Sequence, residues 1–302
     1  MSSLRSKVCR LMAKHLIGAR YRPGFTIEGI RKGLEDATRL SFLPANMVVE
    51  RININGISAE WVCGKHSEQD KAILYLHGGG YNCGSPATHR ELAAHISNAS
   101  GTRVLVPDYR LAPENPFPAA LKDAVACYRW LIQEGFANTK IAIAGDSAGG
   151  GLTLATCLAL KENNDPLPSA LACISPWTDL EATGASVKAL EKIDPMVNLR
   201  ALQVMASKYI GDHDPRVPAI SPLYADFKGF PPTLIQVGSD EMLLDDSTRV
   251  AEKARQAGVD LTLDVFDGLW HVFHVFYRLM PEAKDAVKAL GVFIRNHFKN
   301  GR

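Results

Sequence analysis

The chain has 302 residues, with 34 Lys and Arg against 32 Asp and Glu and a formal net charge of +2. Its 46 % hydrophobic and 22 % charged content excludes a disordered chain, which is poor in apolar residues and strongly charged. The charge balance leaves no broad basic footprint for a nucleic acid. A chain this long buries roughly three quarters of its unfolded surface, enough for one large α/β domain or two smaller ones.

Residues 1–22 carry Arg5, Lys7, Arg10, Lys14, Arg20 and Arg22 and no acid. Basic residues interrupt every apolar run, so the segment does not read as a secretory signal. Leu4, Val8, Leu11, Met12 and Leu16 recur instead at helical spacing, which predicts an amphipathic helix. Its apolar stripe is expected to pack against the rest of the protein and help close a pocket. The competing reading is a helix lying on a membrane surface. No run of 18 apolar residues occurs, so no transmembrane helix is expected.

From residue 47 onward, strand-like and helix-like segments alternate. Strands are predicted at 47–54, 58–63, 71–77, 103–107, 139–144, 170–175, 232–237 and 259–266. Helices are predicted at 86–99, 119–134, 148–162, 246–257 and 282–299. Asn55-Gly56 marks a hairpin turn between the first two strands. Asp245, Asp246 or Ser247 is the expected N-cap of the fourth helix, with Gly258 behind its C-terminus. Strands such as Ala72-Ile73-Leu74-Tyr75-Leu76 are apolar at every position, as a parallel sheet covered on both faces requires. The fold class is therefore α/β, with a mostly parallel eight-stranded sheet between layers of helix. Residues 1–45 and 177–222 break the alternation. Cys9, Cys63, Cys83, Cys127, Cys157 and Cys173 form no C-x-x-C pair, so neither zinc nor a disulfide framework is expected, and a reducing, cytoplasmic setting follows.

The strongest chemical signal is Gly145-Asp146-Ser147-Ala148-Gly149, between a buried strand and a helix. This is the context of a nucleophile elbow, where glycines let the chain turn tightly enough to expose a serine oxygen. His77-Gly78-Gly79-Gly80-Tyr81 follows the strand ending at Leu76. Successive glycines there let backbone N–H groups approach a developing oxyanion.

Together these motifs resemble the bacterial hormone-sensitive lipase family of α/β-hydrolase esterases. Asp108-Tyr109-Arg110-Leu111-Ala112-Pro113-Glu114, Ser175-Pro176-Trp177-Thr178-Asp179, Pro231-Pro232-Thr233 and the stretch Gly268 to Phe273 extend the resemblance over residues 72–273. The resemblance implies a helical cap formed by 1–45 and 177–222 over a catalytic core of 46–176 and 223–302. It also implies an oxyanion hole of Gly79, Gly80 and Ala148.

A serine needs a base and a group that orients the base, and in α/β-hydrolases the chain order is Ser, acid, His. Among His213, His271, His274 and His297, the base is expected at His271, in a short loop after the last strand. His274 reads as a helix histidine. The pair His271-x-x-His274 lacks a third metal ligand. Counting without gaps from Pro231-Pro232 puts the acid at Glu241, where the family commonly has Asp. Asp240, one residue away, is the alternative. Tyr81, Trp270 and Phe273 flank these motifs and are expected to narrow the substrate pocket.

The expected activity is serine carboxylesterase on short- to medium-chain esters, with no cofactor and no metal. A lactone hydrolase or amidase would use the same triad. A non-catalytic receptor, as in the related plant gibberellin receptor, need not keep all three positions filled. The expected partner is a small-molecule ester. Nucleic acid and stable membrane insertion are excluded, and a homodimer is left open.

Overall fold

The structure is a computed structural model describing residues 3–21, 24–38 and 41–298. Arg22 and the expected helical residue 299 lie outside the described residues. The elements begin with α1 (Leu4–Met12), which continues through a π-turn at Ala13–Ile17 and a 3-10 turn at Gly18–Tyr21, and α2 (Ile27–Thr38). There follow β1 (Met47–Ile54), β2 (Ile57–Gly64), β3 (Glu68–Leu76), α3 (Pro86–Ser100), β4 (Thr102–Pro107), α4 (Ala119–Gln133), β5 (Ile141–Asp146), α5 (Ala148–Glu162) and β6 (Ala170–Ile174). The chain ends with α6 (Ala185–Ala189), α7 (Leu199–Ile210), β7 (Thr233–Gly238), α8 (Leu244–Gln256), β8 (Leu261–Phe266) and α9 (Pro281–His297).

The strands form one sheet in the order β1-β2-β4-β3-β5-β6-β7-β8. β1 and β2 pair antiparallel, as do β2 and β4, and every later pair is parallel. Asn55 and Gly56 both adopt positive φ in the β1–β2 turn, the conformation that selects Asn-Gly there. β5 and β6 are buried along their whole length because helices cover both faces of the sheet. Leu152, Leu131 and Val250 of α5, α4 and α8 pack on one face. Leu92, Val287 and Leu290 of α3 and α9 pack on the other.

Two local expectations are corrected. α8 begins after Leu243, which makes no side-chain cap. Asp246 is instead buried and accepts the amides of Thr178 and Asp179 at 2.7 and 2.8 Å, so tertiary pairing takes the carboxylate away from its own helix. The second correction concerns α1. Its inward face is Ser6, Cys9 and Ala13, and Cys9 and Ala13 pack with Leu269, Trp270, Phe273, Phe276, Met280 and Ala283. Leu4, Val8 and Leu11 face outward and are exposed, whereas Met12 and Leu16, though also exposed, line a cavity. Small side chains let the helix approach the Trp270 and Phe276 rings closely, and Arg10 sets its rotation. The Arg10 guanidinium donates to Asp240 Oδ2 at 2.6 Å, the Ile193 carbonyl at 2.7 Å and the Gly268 carbonyl at 3.3 Å.

Candidate active site

β5 delivers the chain to Ser147, and α5 starts at the next residue. Ser147 has φ 53° and ψ −121°, a strained conformation for a residue with a side chain. Its amide donates to the Ile174 carbonyl at 2.8 Å, and its carbonyl accepts the Trp177 amide at 2.9 Å. These bonds anchor the elbow to the end of β6. A Cβ at Gly149 would collide with the Leu76 and His77 carbonyls. Only glycine lets α5 lie so close to the strand that carries the glycine loop.

His271 lies in the loop after β8, and its Nε2 is 2.9 Å from Ser147 Oγ. On the other side of the ring, Nδ1 faces Glu241 Oε1 at 3.8 Å. Burial works against a charged ring there. The Glu241 carboxylate, with Asp194 and Asp146 behind it, outweighs that effect and holds the His271 pKa above 6.5. Glu241 is itself buried, and its Oε2 accepts from the Ser175 hydroxyl at 2.8 Å and the Gly238 amide at 3.3 Å. Ser175 Oγ also accepts the Val272 amide at 3.1 Å, so one hydroxyl ties the Glu241 loop to the His271 loop. Asp240 points away to Arg10.

The other histidines are placed elsewhere. His274 is buried with Nε2 at 3.0 Å from Gln236 Oε1, and burial lowers its pKa to about 3. His213 is exposed and meets Phe117 edge-on. His297 Nδ1 lies 2.8 Å from the Phe293 carbonyl in α9. Among the described residues, no three His, Cys, Asp or Glu side chains form a metal-binding cluster.

Gly79 and Gly80 adopt φ 120° and 62° beside the elbow, conformations that cost glycine nothing. The Ala148 amide is the first of α5 and has no intrahelical acceptor. Asp146 fixes this loop to the elbow. Its buried carboxylate accepts the Gly78 amide at 3.0 Å and the Tyr75 hydroxyl at 2.7 Å, and His89 Nε2 lies 3.5 Å away. The Tyr109 hydroxyl bonds the His77 carbonyl at 2.6 Å, and the two rings stack with centroids 4.2 Å apart.

A cavity of about 750 Å³ opens at Ser147 and His271. Met12, Leu16, Ile17, Tyr21 and Leu34 line it from one helical segment and Met196, Leu202 and Met205 from the other, with Trp177 and Phe276. Its size and apolar walls are those of a small-molecule site. The three aromatic residues expected in the pocket do not line it, and that expectation is corrected. Tyr81 is buried and stacks on Tyr209 at 3.8 Å. Trp270 packs against Phe276 and Phe273 against Phe266, both out of contact with solvent. Their sequence neighbours reach the site while their own rings point into the core.

Sequence reasoning did not single out Arg10, Ser175, Asp146 or Asp194 as site residues. Ser175 and Asp146 stand inside motifs already quoted. Asp194 lies in an irregular segment and carries no local signal. It is buried, and its Oδ2 accepts the Met242 amide at 3.0 Å.

A family signature for the alpha/beta hydrolase fold matches residues 73–275. With the sheet and the elbow, this defines the class: the chain belongs to the α/β-hydrolase family. Acetyl-hydrolase of Streptomyces hygroscopicus is 42 % identical over 245 residues, 81 % of each chain. The putative acetyl-hydrolase LipR of Mycobacterium tuberculosis is 37 % identical over 275 residues, 90 % of this chain and 88 % of LipR. The crystal structure of an esterase from the bacterial hormone-sensitive lipase family matches with a TM-score of 0.94 at 42 % identity, covering 99 % of this chain and 100 % of that one. Within its class, the chain is a carboxylic ester hydrolase of the bacterial hormone-sensitive lipase family.

Proposed function

We propose that the chain is a serine carboxylesterase acting through an acyl-enzyme, with Ser147 as nucleophile, His271 as base and Glu241 as the acid that orients it. The observation that carries this reading is the 2.9 Å approach of His271 Nε2 to Ser147 Oγ with a buried carboxylate on the far side of the ring. His271 takes the serine proton as Oγ attacks the ester carbonyl, then returns it to the leaving alcohol. Water, activated by the same imidazole, releases the acid. Amides of Gly79, Gly80 and Ala148 stabilise the oxyanion at each tetrahedral stage. The 3.8 Å gap between Glu241 and His271 closes as the ring becomes charged, since hydrogen bonds of this kind commonly tighten only with substrate bound.

Residues 1–45 and 177–222 serve as the cap in this reading, because both segments wall the cavity over Ser147. The apolar lining suits short- to medium-chain acyl groups. Two relatives carry the name acetyl-hydrolase, and acetyl esters fall within that range. All six thiols are free, which suits the reducing cytoplasm included in the proposal.

A p-nitrophenyl phosphonate tests the assignment directly. It should add one phosphonyl group to the peptide containing Ser147 and stop p-nitrophenyl butyrate hydrolysis in proportion. Modification elsewhere with full loss of activity would reject it.

A further inference from the structure

Packing leaves the apolar stripe of α1 free. Leu4, Val8, Leu11 and Leu16 are 79, 54, 60 and 58 % exposed. The stripe is not a core face that failed to dock, because the opposite face is already occupied and Arg10 locks the rotation. At 100° per residue, Leu4, Val8 and Leu11 fall within about 60° of one another. Arg5 lies to one side of them and Lys7 to the other, and all of these side chains are exposed. Lys14 and His15 continue the exposed surface one turn on. Residues 3–21 contain no acid. The acids on the cavity wall, Asp36, Glu91 and Asp146, come from other elements. The stripe also runs to the cavity mouth, since Met12 and Leu16 line the cavity and remain 36 and 58 % exposed.

We propose that α1 docks on an anionic lipid surface, with Leu4, Val8 and Leu11 entering the acyl boundary and Arg5, Lys7 and Lys14 at the headgroups, so that the cavity mouth faces esters held in the leaflet. An outward apolar stripe flanked by cations is the arrangement that binds in the plane of such an interface. Charge decides against a second copy of the chain. A twofold pairing of two such stripes would set Arg5, Lys7 and Lys14 against themselves. The docking rests on surface chemistry alone. Only its consequence, delivery of substrate to Ser147, rests on the function proposed above.

Flotation of the whole protein with vesicles tests the docking. Phosphatidylcholine vesicles containing about a third phosphatidylglycerol should carry the protein upward, and pure phosphatidylcholine should carry far less. Raising salt to about 0.5 M should weaken the binding. Val8→Ser with Leu11→Ser, and separately Arg5→Gln, Lys7→Gln and Lys14→Gln together, should each lower the bound fraction about tenfold or more. These positions lie outside the cavity, so both variants should hydrolyse dissolved p-nitrophenyl acetate at the wild-type rate. Should the serine variant melt early, the glutamine variant carries the test, since it removes no packed side chain. Wild-type protein that stays off anionic vesicles, or variants that bind as well as wild type, would overturn the proposal. So would a dimer in sedimentation that the serine variant dissociates. Failure of the Ser147 assignment would show separately, as phosphonate labelling elsewhere, with flotation unaffected.

Discussion

Asp194 accepts the Met242 amide at 3.0 Å, immediately after Glu241 in the chain. Arg10 holds Asp240, immediately before it, at 2.6 Å. The two irregular helical segments thus grip the Glu241 loop from both sides, one through a carboxylate and one through a guanidinium. Burial pushes Asp194 up to about 6, against the pull of His271 and of the Met196 and Met242 amides.

This arrangement sets the pH dependence. In the proposed mechanism only neutral His271 accepts the serine proton, and its pKa is raised. Activity should therefore be lost as pH falls through a midpoint above 6.5, the reference value for a free histidine. Asp194→Asn removes a negative charge that favours the imidazolium. The acid limb of kcat/KM should move down. An Asn at 194 also faces the Met242 amide with its own N–H or forfeits the Met196 and Val197 bonds, so about 1–3 kcal/mol of stability should go too. A lower Tm with an unmoved acid limb would mean that Asp194 only braces the loop.

The two neighbouring acids should separate cleanly. Glu241→Gln keeps the shape but leaves the His271 tautomer unsupported, and kcat should drop about 10⁴-fold. Asp240→Asn loses the Arg10 ion pair at a half-buried site, which costs on the order of 1 kcal/mol and little activity. Steady-state rates of the two variants on p-nitrophenyl butyrate decide the matter. A crippled Asp240→Asn with an active Glu241→Gln would reverse the roles.

Ser147→Ala removes the covalent route and should cost on the order of 10⁶ in kcat with Tm unchanged. A variant retaining a tenth of the rate would exclude Ser147 as the nucleophile.

Strands and helices of the sheet layers were legible because continuous apolar runs and glycine punctuation are local properties, as in Ile141 to Ala144 before the elbow. The elbow and the glycine loop were legible for the same reason. What failed was direction. The α1 stripe has helical period in the sequence, and period says which residues share a face but not which face docks. That choice was made by Arg10 reaching Asp240, 230 residues away. Tyr81, Trp270 and Phe273 failed likewise. Adjacency to His271 or Gly80 does not carry a ring into the cavity when the backbone turns between them. Tyr81 itself has φ 62° and Val272 φ 47°.

Phe273 is fully buried against Phe266 and His274. Phe273→Ala should lower stability by about 3–5 kcal/mol through lost burial and the cavity left behind. Its effect on chain-length selectivity should be small. Denaturant melts and an acyl-chain series on the folded variant test this. A selective change in KM for longer chains at unchanged stability would put the ring back in the pocket.

Under the proposed function, the cavity predicts an acyl-chain preference. Each methylene buried among Leu16, Leu34, Leu202 and Met205 adds about 0.8 kcal/mol of transfer free energy. If the transition state holds the chain as the ground state does, kcat/KM should rise by up to about fourfold per carbon from p-nitrophenyl acetate upward. The rise should stop once the chain fills the 750 Å³ available and its end must leave through the mouth. Dissolved palmitate esters should then react more slowly than butyrate or hexanoate. Vesicle-borne esters of the same chain length should recover rate when the vesicles carry anionic lipid, because the mouth then opens onto the leaflet rather than onto water. Leu202→Ala should extend the rise by about one or two carbons, because the truncated side chain leaves room for them in the cavity. An optimum unmoved by that change would place the acyl group elsewhere in the cavity, on the side of Trp177.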